Sequence, residues 1–374
     1  VTSKKKLLFI YGPLGGGGAE RVLLDLLCNL DYGKYDVDLC LIINKGVLLP
    51  QVPKRVNIIP LWESYSLSYK MAFRMSIWFK NNYLFRSRLK KKLTTPYDVE
   101  ISFLEGMPLK LHALLDTAAK KLTWVHCDLY NFPYEAHQFA EGEELKAYNK
   151  MDTIVAVSND TLHAFVKRFL ACQQQKKVIY NPIDINKILK LSEEYIPKKE
   201  SLFTIVSLAR LTPQKRIDRV IRLAHRLKAE NFQVKFKIIG DGELKHDLIR
   251  EIKRLDVHEL INMVGFVDNP FPILKKADIL LLSSVSEGFG LVLCEAMCLG
   301  VPVISTKTAG PAEIIDHNKY GLLCEHDDES IYQAVIQMIK DKSLRTHYAA
   351  MGRKRAREFS VKNTITKFEE VLKA

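Results

Sequence analysis

Two glutamates, Glu287 and Glu295, are separated by seven residues that include the turn Gly288-Phe289-Gly290. Upstream, Ala277-Asp-Ile-Leu-Leu-Leu-Ser-Ser284 is a short apolar run of the buried-strand type, and downstream Leu291 to Leu299 is apolar and closed by Gly300 and Pro302, as a short buried helix is. The glycines therefore fall in a strand-to-helix turn. At such a turn the amides of Gly290, Leu291 and Val292 have no partner inside the helix and lie at the positive end of its dipole, which suits a diphosphate. Glu295, one turn into the helix, can accept hydrogen bonds from both hydroxyls of a ribose. Glu287, in the loop, is placed for hydroxyls of a sugar beyond the diphosphate. Two ordinary surface acids would not explain why a carboxylate interrupts the apolar run Leu291 to Leu299.

These side chains need a scaffold in which strands end where helices begin. Strand-like and helix-like runs alternate: Leu7 to Tyr11, Ala19 to Leu30, Val37 to Ile43, then Val99 to Phe103, Lys121 to Val125 and Thr153 to Val157. This rhythm predicts βαβ units around a parallel sheet. It pauses in the polar stretch Lys187 to Glu200 and restarts with Phe203 to Ser207, Val234 to Ile239, Ile261 to Gly265, Ile279 to Leu282 and Val301 to Ile304. Glu329 to Lys340, Ser343 to Phe359 and Ser360 to Lys373 read as helices. The expected division is a first domain over 1–184, a linker over 185–199, a second domain over 200–355, and a C-terminal helix in 356–374 that packs back on the first domain.

Other strand-end segments carry related chemistry. Gly15-Gly-Gly-Gly-Ala-Glu-Arg21 lies between the first strand and first helix, where Gly16 and Gly17 let backbone approach a phosphate closely. It fits neither the dinucleotide fingerprint, because Glu20 stands where the last glycine belongs, nor a P-loop, because no Gly-Lys-Ser/Thr follows. Ser207-Leu-Ala-Arg-Leu-Thr-Pro-Gln-Lys-Arg-Ile-Asp218 sets Arg210 and Lys215, with Arg216 beside them, on a loop opening a helix. Two cations there can neutralise a leaving diphosphate. Trp124-Val-His-Cys-Asp128 ends a strand and places His126 at the sheet edge, although a lone histidine is more often structural. Ile239-Gly-Asp-Gly-Glu-Leu244 and Val264-Gly-Phe-Val-Asp268 are strand-end turns.

The order and spacing of these segments resemble the retaining GT-B glycosyltransferases of family 4, the glycosyl transferases group 1, which include bacterial capsular and exopolysaccharide enzymes. The resemblance rests on Glu-Gly-Phe-Gly with its second glutamate, on Arg210-Leu followed by Lys215, on Trp-x-His-x-Asp and on Gly-Gly-Ala-Glu; Ala209 replaces the family's usual glycine. It implies an α/β fold of two Rossmann-like doubly wound parallel-sheet domains facing a central cleft, the first on the acceptor side and the second binding a nucleotide sugar. A hexose would pass from a nucleoside diphosphate, uridine by family habit, to a saccharide acceptor with retention at the anomeric carbon. His126 would contact the donor sugar near that carbon, Gly240 and the backbone around Val267 would border the nucleobase, and Gly16 and Gly17 would form the acceptor-side wall beside the diphosphate. Arg210, Lys215 and the helix start would do the work of a cation, so no metal or other cofactor is expected. No residue is a convincing covalent nucleophile, and Glu287 would orient the donor. Galactose, glucose, their N-acetyl forms and mannose all remain open, as does the linkage.

With 374 residues, 47% hydrophobic and 26% charged, the chain has a globular composition long enough for two cores. Its seven cysteines are scattered; Cys294 and Cys298, one turn apart on the apolar helix, fit core packing in a reducing cytosol better than zinc or a disulfide. Lys4-Lys-Lys-Leu-Leu-Phe-Ile-Tyr11 imitates a signal peptide but breaks at Gly12-Pro13, and no run is long enough to span a bilayer. The expected place is the cytoplasm, free or peripheral on the inner face of the membrane. The formal charge of +13 is densest between Lys70 and Lys92, where eight basic residues and no acid are interleaved with Met71, Phe73, Met75, Trp78, Phe79, Tyr83 and Phe85. Met71 to Lys92 reads either as an interfacial amphipathic helix on anionic lipid, which would favour a lipid-linked acceptor, or as a helix packed on its own domain. Two rival activities are a nucleotide-sugar 2-epimerase, which would need acid and base groups at C2, and nucleic-acid binding through the basic stretch. Nothing else in the chain matches a groove-reading or single-strand module, so no nucleic-acid partner is expected.

Overall fold

Apolar runs buried on both faces make the central strands of this protein, as sheets covered by helices on either side require. A computed structural model describes residues 4–197 and 201–373. The chain divides into two units, one running to Pro182 and resuming at Val361, the other spanning Ile183 to Ser360.

The first unit holds a seven-stranded sheet of Lys5–Tyr11 (β1), Tyr35–Ile43 (β2), Asn57–Trp62 (β3), Val99–Ser102 (β4), Lys120–Val125 (β5), Thr153–Ala156 (β6) and Gln175–Val178 (β7), in the order β3-β2-β1-β4-β5-β6-β7. The second holds a six-stranded sheet of Phe203–Leu208 (β8), Val234–Ile239 (β9), Ile261–Gly265 (β10), Ile279–Leu282 (β11), Val303–Thr306 (β12) and Leu322–Cys324 (β13), in the order β10-β9-β8-β11-β12-β13. All pairings between these strands are parallel. In each sheet the strand order reverses once, between β1 and β4 and between β8 and β11, and such switch points are where open α/β sheets place ligands.

β1 shows how one strand serves two cores. Leu8 and Ile10 pack with Cys40, Trp62, Phe85 and Leu111 on one face. Phe9, on the other, meets Phe103 and Phe368 with ring centroids 6.1 and 6.2 Å apart, and Trp124 meets Phe368 at 5.6 Å. The second unit has its own core, in which Ile205, Phe236, Val220, Leu227, Leu281 and Val335 are buried.

Several sequence expectations are corrected. Residues 185–199 are not a plain linker: Ile185–Leu191 is a helix, started by Asp184, whose side chain accepts from the Lys187 amide at 2.9 Å. Its polar lysines masked the helical spacing of Ile185, Ile188 and Leu189, and buried Ile188 anchors it in the second unit. Residues 198 and 199 lie outside the described residues. The stretch 356–374 is not one element. Helix Lys342–Glu358 belongs to the second unit, and the following helix, Val361–Lys373, belongs to the first. There Phe368 is fully buried, and Lys5 and Lys120 donate to the Leu372 and Val371 carbonyls at 3.1 and 2.6 Å.

The basic stretch is two helices, Leu67–Trp78 and Tyr83–Lys92, rather than one; the chain breaks at Lys80, which has φ +52°. Ala72, Ser76, Phe85 and Leu89 are buried, so one face packs on the domain. Arg88 also belongs to that packing, since its Nε donates to the Leu61 carbonyl at 2.7 Å and its guanidinium lies over Trp62. β3, β7 and β13, which the hydropathy pattern does not reveal, are all edge strands. Pro60 is tolerated in β3 because an edge strand leaves one side unpaired.

All three tryptophans, Trp62, Trp78 and Trp124, lie in the first unit, so their fluorescence follows its unfolding. Phe368→Ala is expected to lower the stability of that unit by about 3–5 kcal/mol, the usual cost of truncating a fully buried aromatic ring. Urea titration read by tryptophan emission checks this, and an unchanged midpoint would show that the last helix is not part of the core.

Candidate active site

In the second unit β8 and β11 are neighbours, with Ile205 opposite Ile279, and their C-terminal loops carry most of the expected side chains. After β8, the Ala209 amide donates to the Ile239 carbonyl at 3.0 Å and the Leu211 amide to the Asp241 carbonyl at 2.9 Å. Gly240, at φ +136°, comes so close that a Cβ would overlap the Ala209 carbonyl oxygen, so its glycine is required by this backbone contact. The Gly240 amide in turn donates to Gly265 at 2.8 Å, joining the turn after β9 to the one that holds half-buried Val267.

Pro213–Lys215 make a single 3-10 turn, and Arg216 follows in the left-handed region at φ +49°. The loop after β11 is clipped to this turn at several points. The Val285 amide donates to the Gln214 carbonyl at 2.9 Å, and Gln214 Nε2 donates to the Ser286 carbonyl at 2.8 Å. Ser283 Oγ donates to the Lys215 carbonyl at 2.9 Å, while Arg219, itself buried, donates through Nη1 to the Ser283 carbonyl at 3.1 Å.

These clips bring Lys215 Nζ within 2.6 Å of Glu287 Oε1, and Ser284 Oγ donates to the same oxygen at 2.6 Å. The two side chains are 16% and 12% exposed, so solvent screens the pair less than it would a surface pair. Arg210 is exposed and its side chain makes no hydrogen bond or ion pair among the described residues, whereas Arg216 is committed to Asp218. Burial alone would raise the Asp218 carboxyl, but hydrogen bonds from Arg216 and Arg222 outweigh it and bring its pKa to about 2.

Helix Leu291–Leu299 starts at Gly290, φ +95°, and stops at Gly300, φ +75°. Gly288 is half-buried, and Phe289 is buried with its ring edge-on to Phe359 at 5.3 Å. The Gly310 amide donates to the Glu287 carbonyl at 3.1 Å, and a Cβ on Gly310 would overlap the Phe289 backbone. Leu291 and Val292 are half-buried in the first turn, whose amides have no acceptor within the helix. Glu295 is half-buried although Cys294, Ala296 and Met297 beside it are buried. Burial first, and the Glu295 charge second, push the Cys298 thiol up to about 11.

The first unit holds the remaining expected residues. Gly16 has φ +101°, and Gly17 precedes helix Gly18–Asn29 with the Glu20 carboxylate against it. His126 follows β5 with its ring 5.2 Å from that of Phe103. Its Nε2 is buried without a hydrogen-bond partner among the described residues. Burial lowers its pKa to about 3, against a hydrogen bond to the Phe103 backbone that raises it. Trp124, stacked on Phe103 at 5.0 Å, and Asp128, which accepts from the Tyr130 and Asn131 amides at 3.1 and 3.0 Å, are structural members of the same segment.

Sequence reasoning passed over Glu105, which is 4% exposed and accepts from the His126 amide and from Cys127 Sγ, both at 2.9 Å. Burial raises its carboxyl, and these hydrogen bonds oppose the rise. The available signal was an acid just past the strand-like segment Val99 to Phe103 and directly before Gly106. Gln214 and Gly310 were equally hidden, because their roles are contacts with the backbone of segments distant in sequence or close in space only after folding, and Ser284 because a serine at a strand end does not show that its hydroxyl turns to Glu287.

The family model described as glycosyl transferases group 1 matches residues 191–355. The chain is 30% identical to N-acetylgalactosamine-N,N'-diacetylbacillosaminyl-diphospho-undecaprenol 4-alpha-N-acetylgalactosaminyltransferase of Campylobacter jejuni, over 94% of each chain. It is 28% identical to N-acetyl-alpha-D-glucosaminyl L-malate synthase of Bacillus anthracis, over 59% of each. Among solved structures, Anabaena HepE in complex with UDP-glucose superposes with a TM-score of 0.78 at 20% identity, covering 98% of this chain and 99% of that one. That likeness shows the GT-B fold.

The His126 ring also sets a pH dependence. Its pKa is about 3 in the folded protein against 6.5 for a free imidazole, so below pH 6.5 the unfolded chain binds a proton that the folded one refuses. The first unit is expected to lose about 2–3 kcal/mol from this group between pH 7 and pH 4. His126→Asn should flatten that part of the profile, as urea midpoints read by tryptophan emission at the two pH values would reveal; an identical slope in the variant would refute the assignment.

Proposed function

The chain belongs to the glycosyl transferases group 1 family, and on that premise we propose that it moves a hexose from a nucleoside-diphosphate sugar, with uridine as the base, to a saccharide acceptor in bacterial cell-surface polysaccharide synthesis, retaining the anomeric configuration and using no metal. One observation carries the reading: a lysine suited to a diphosphate and a glutamate suited to sugar hydroxyls meet at 2.6 Å on adjoining strand-end loops at the sheet's switch point. The complex of HepE with UDP-glucose and the diphospho-undecaprenol acceptor in the name of the Campylobacter jejuni relative support a UDP-sugar donor and a lipid-linked acceptor.

In this reading the first-turn amides of Leu291 and Val292, with Arg210 and Lys215, receive the diphosphate and stabilise the charge that grows on it. Glu295 takes the ribose hydroxyls, the turns at Gly240 and Val267 border the base, and Gly288 to Gly290 let the backbone approach. Gly16 and Gly17 line the acceptor side. His126, neutral at physiological pH, takes a hydroxyl of the donor sugar. The acceptor oxygen bonds to the anomeric carbon on the face that the leaving group vacates; the bond to the diphosphate oxygen breaks with its electron pair going to UDP, and a phosphate oxygen takes the acceptor's proton. Glu287 is a poor nucleophile here because Lys215 and Ser284 both hold the same carboxylate oxygen. It orients the sugar instead.

The membrane side of the reading rests on what the two basic helices leave uncovered. Trp78, Phe79 and Tyr83 are 70%, 73% and 69% exposed around the helix break, beside exposed Leu67 and Met71 and the cations Lys70, Arg74 and Lys80. Aromatic side chains with basic neighbours fit the headgroup layer of an anionic bilayer, where a lipid-linked acceptor resides. Among the described residues no helix is long and apolar enough to cross a membrane.

A thermal-shift panel of UDP, UDP-glucose, UDP-N-acetylgalactosamine and GDP-mannose tests the donor. Uridine ligands should raise the midpoint, by an amount corresponding to about 2.7 kcal/mol at a hundredfold excess over Kd, and Glu295→Ala should abolish the shift. A response to GDP-mannose alone would reject uridine. For the membrane, the combined variant Trp78→Ser, Phe79→Ser, Tyr83→Ser should bind phosphatidylglycerol vesicles about tenfold more weakly in sedimentation. Equal sedimentation of variant and wild type would remove the lipid surface from the proposal.

A further inference from the structure

Glu105 is a buried carboxylate with no basic side chain paired to it among the described residues, and Glu135 nearby adds like-charge repulsion. Burying such a group is costly unless donors surround it. The donors it has are the His126 amide and the Cys127 thiol, each at 2.9 Å. Glu105 also acts on Tyr148, whose hydroxyl is buried without a hydrogen-bond partner among the described residues, while Asp128, whose oxygens hold its own turn, acts on Cys127.

The position of these bonds is informative. β4 and β5 pair through Ser102 and Thr123, and beyond that pair no regular ladder holds the two chains together. Just past it, the segment Phe103 to Glu105 grips His126 in two ways: the Phe103 ring packs on the imidazole, with centroids 5.2 Å apart, and Glu105 takes the backbone N–H at 2.9 Å. A neutral imidazole carries one N–H and one lone pair, and Nε2 is buried without a hydrogen-bond partner among the described residues.

We propose that Glu105 is the positioning residue of His126: it fixes the end of β5 so that the imidazole is held in one neutral tautomer with Nε2 as an acceptor for a substrate hydroxyl. Glu105 does not touch substrate itself, and the effect on the reaction rests on the glycosyltransferase reading above. The amide of a glutamine can accept from the His126 N–H as the carboxylate does. An alanine cannot, and an aspartate, shorter by one methylene, draws the acceptor back.

The test uses the full chain with nitrogen-15 labelled histidine, His126→Ala assigning the resonance. Wild type and Glu105→Gln should show a single neutral tautomer at neutral pH, whereas Glu105→Ala and Glu105→Asp should show averaged tautomers. In parallel, UDP release from UDP-glucose and UDP-N-acetylgalactosamine is measured. Glu105→Ala should lower turnover about tenfold to a hundredfold with donor affinity unchanged, Glu105→Gln should restore it, and Glu105→Ala should add nothing to His126→Ala. An unchanged ring spectrum in both Glu105→Ala and Glu105→Asp overturns the proposal, as does a loss that adds to that of His126→Ala, or a Glu105→Gln variant as impaired as Glu105→Ala. Should Glu105→Ala not fold, Glu105→Asp and Glu105→Gln decide. Absence of UDP release by the wild type would tell against the donor reading alone, and the ring spectrum would still decide the role of Glu105.

Discussion

The ion pair of Lys215 and Glu287 depends on a constraint that neither residue supplies. Two loops leaving neighbouring parallel strands would ordinarily be free to part. Here Gln214, Ser283, Val285 and Ser286 exchange backbone and side-chain hydrogen bonds across the gap, and buried Arg219 adds another from beneath. The charged pair is thus formed by a frame of neutral bonds and does not have to hold that frame together. A carboxylate already held by an ammonium and a hydroxyl is fixed before any ligand arrives, which is how preorganised sites avoid reorganisation during reaction.

The first unit solves a similar problem without a counter-ion. Glu105 extends the union of β4 and β5 beyond their last paired residues by accepting donors from His126 and Cys127. An apolar residue there would be easier to bury, but it could not satisfy the His126 amide. Trp124 and Asp128 flank this arrangement, one locked into the aromatic core with Phe103 and Phe368, the other capping the next turn. The histidine is therefore held on both sides by residues whose chemistry is spent on structure.

The sheets were legible wherever a strand is covered on both faces, because Leu7 to Ile10, Ile279 to Leu282 and their kin are continuous aliphatic runs. Three of the four edge strands were not, β10 being the exception: β3 holds a proline, β7 reads Gln-Lys-Lys-Val and β13 has three residues, so none of these shows the pattern of a buried strand. Glu287, Lys215, Glu295 and the Gly288 to Gly290 turn were legible because charge and glycine stand out against apolar surroundings. What stayed hidden was long-range contact. Nothing local to Gly310 announces that the Phe289 backbone rests on it, and nothing local to Gln214 shows that it is clipped to Val285 and Ser286. The helix break at Lys80 was hidden too, since basic and aromatic residues continue through it unchanged.

The first unit is discontinuous in sequence, and its final helix follows the whole of the second. During translation, residues 183–360 can leave the ribosome and fold while Phe9 and Trp124 still lack the ring of Phe368. The nascent chain then carries a finished second unit joined to a first unit with an uncovered aromatic face, until Val361–Lys373 emerges and covers it. Order of synthesis thus completes the core of the first unit after that of the second, and the sheet face that Phe368 covers stays open while residues 183–360 fold.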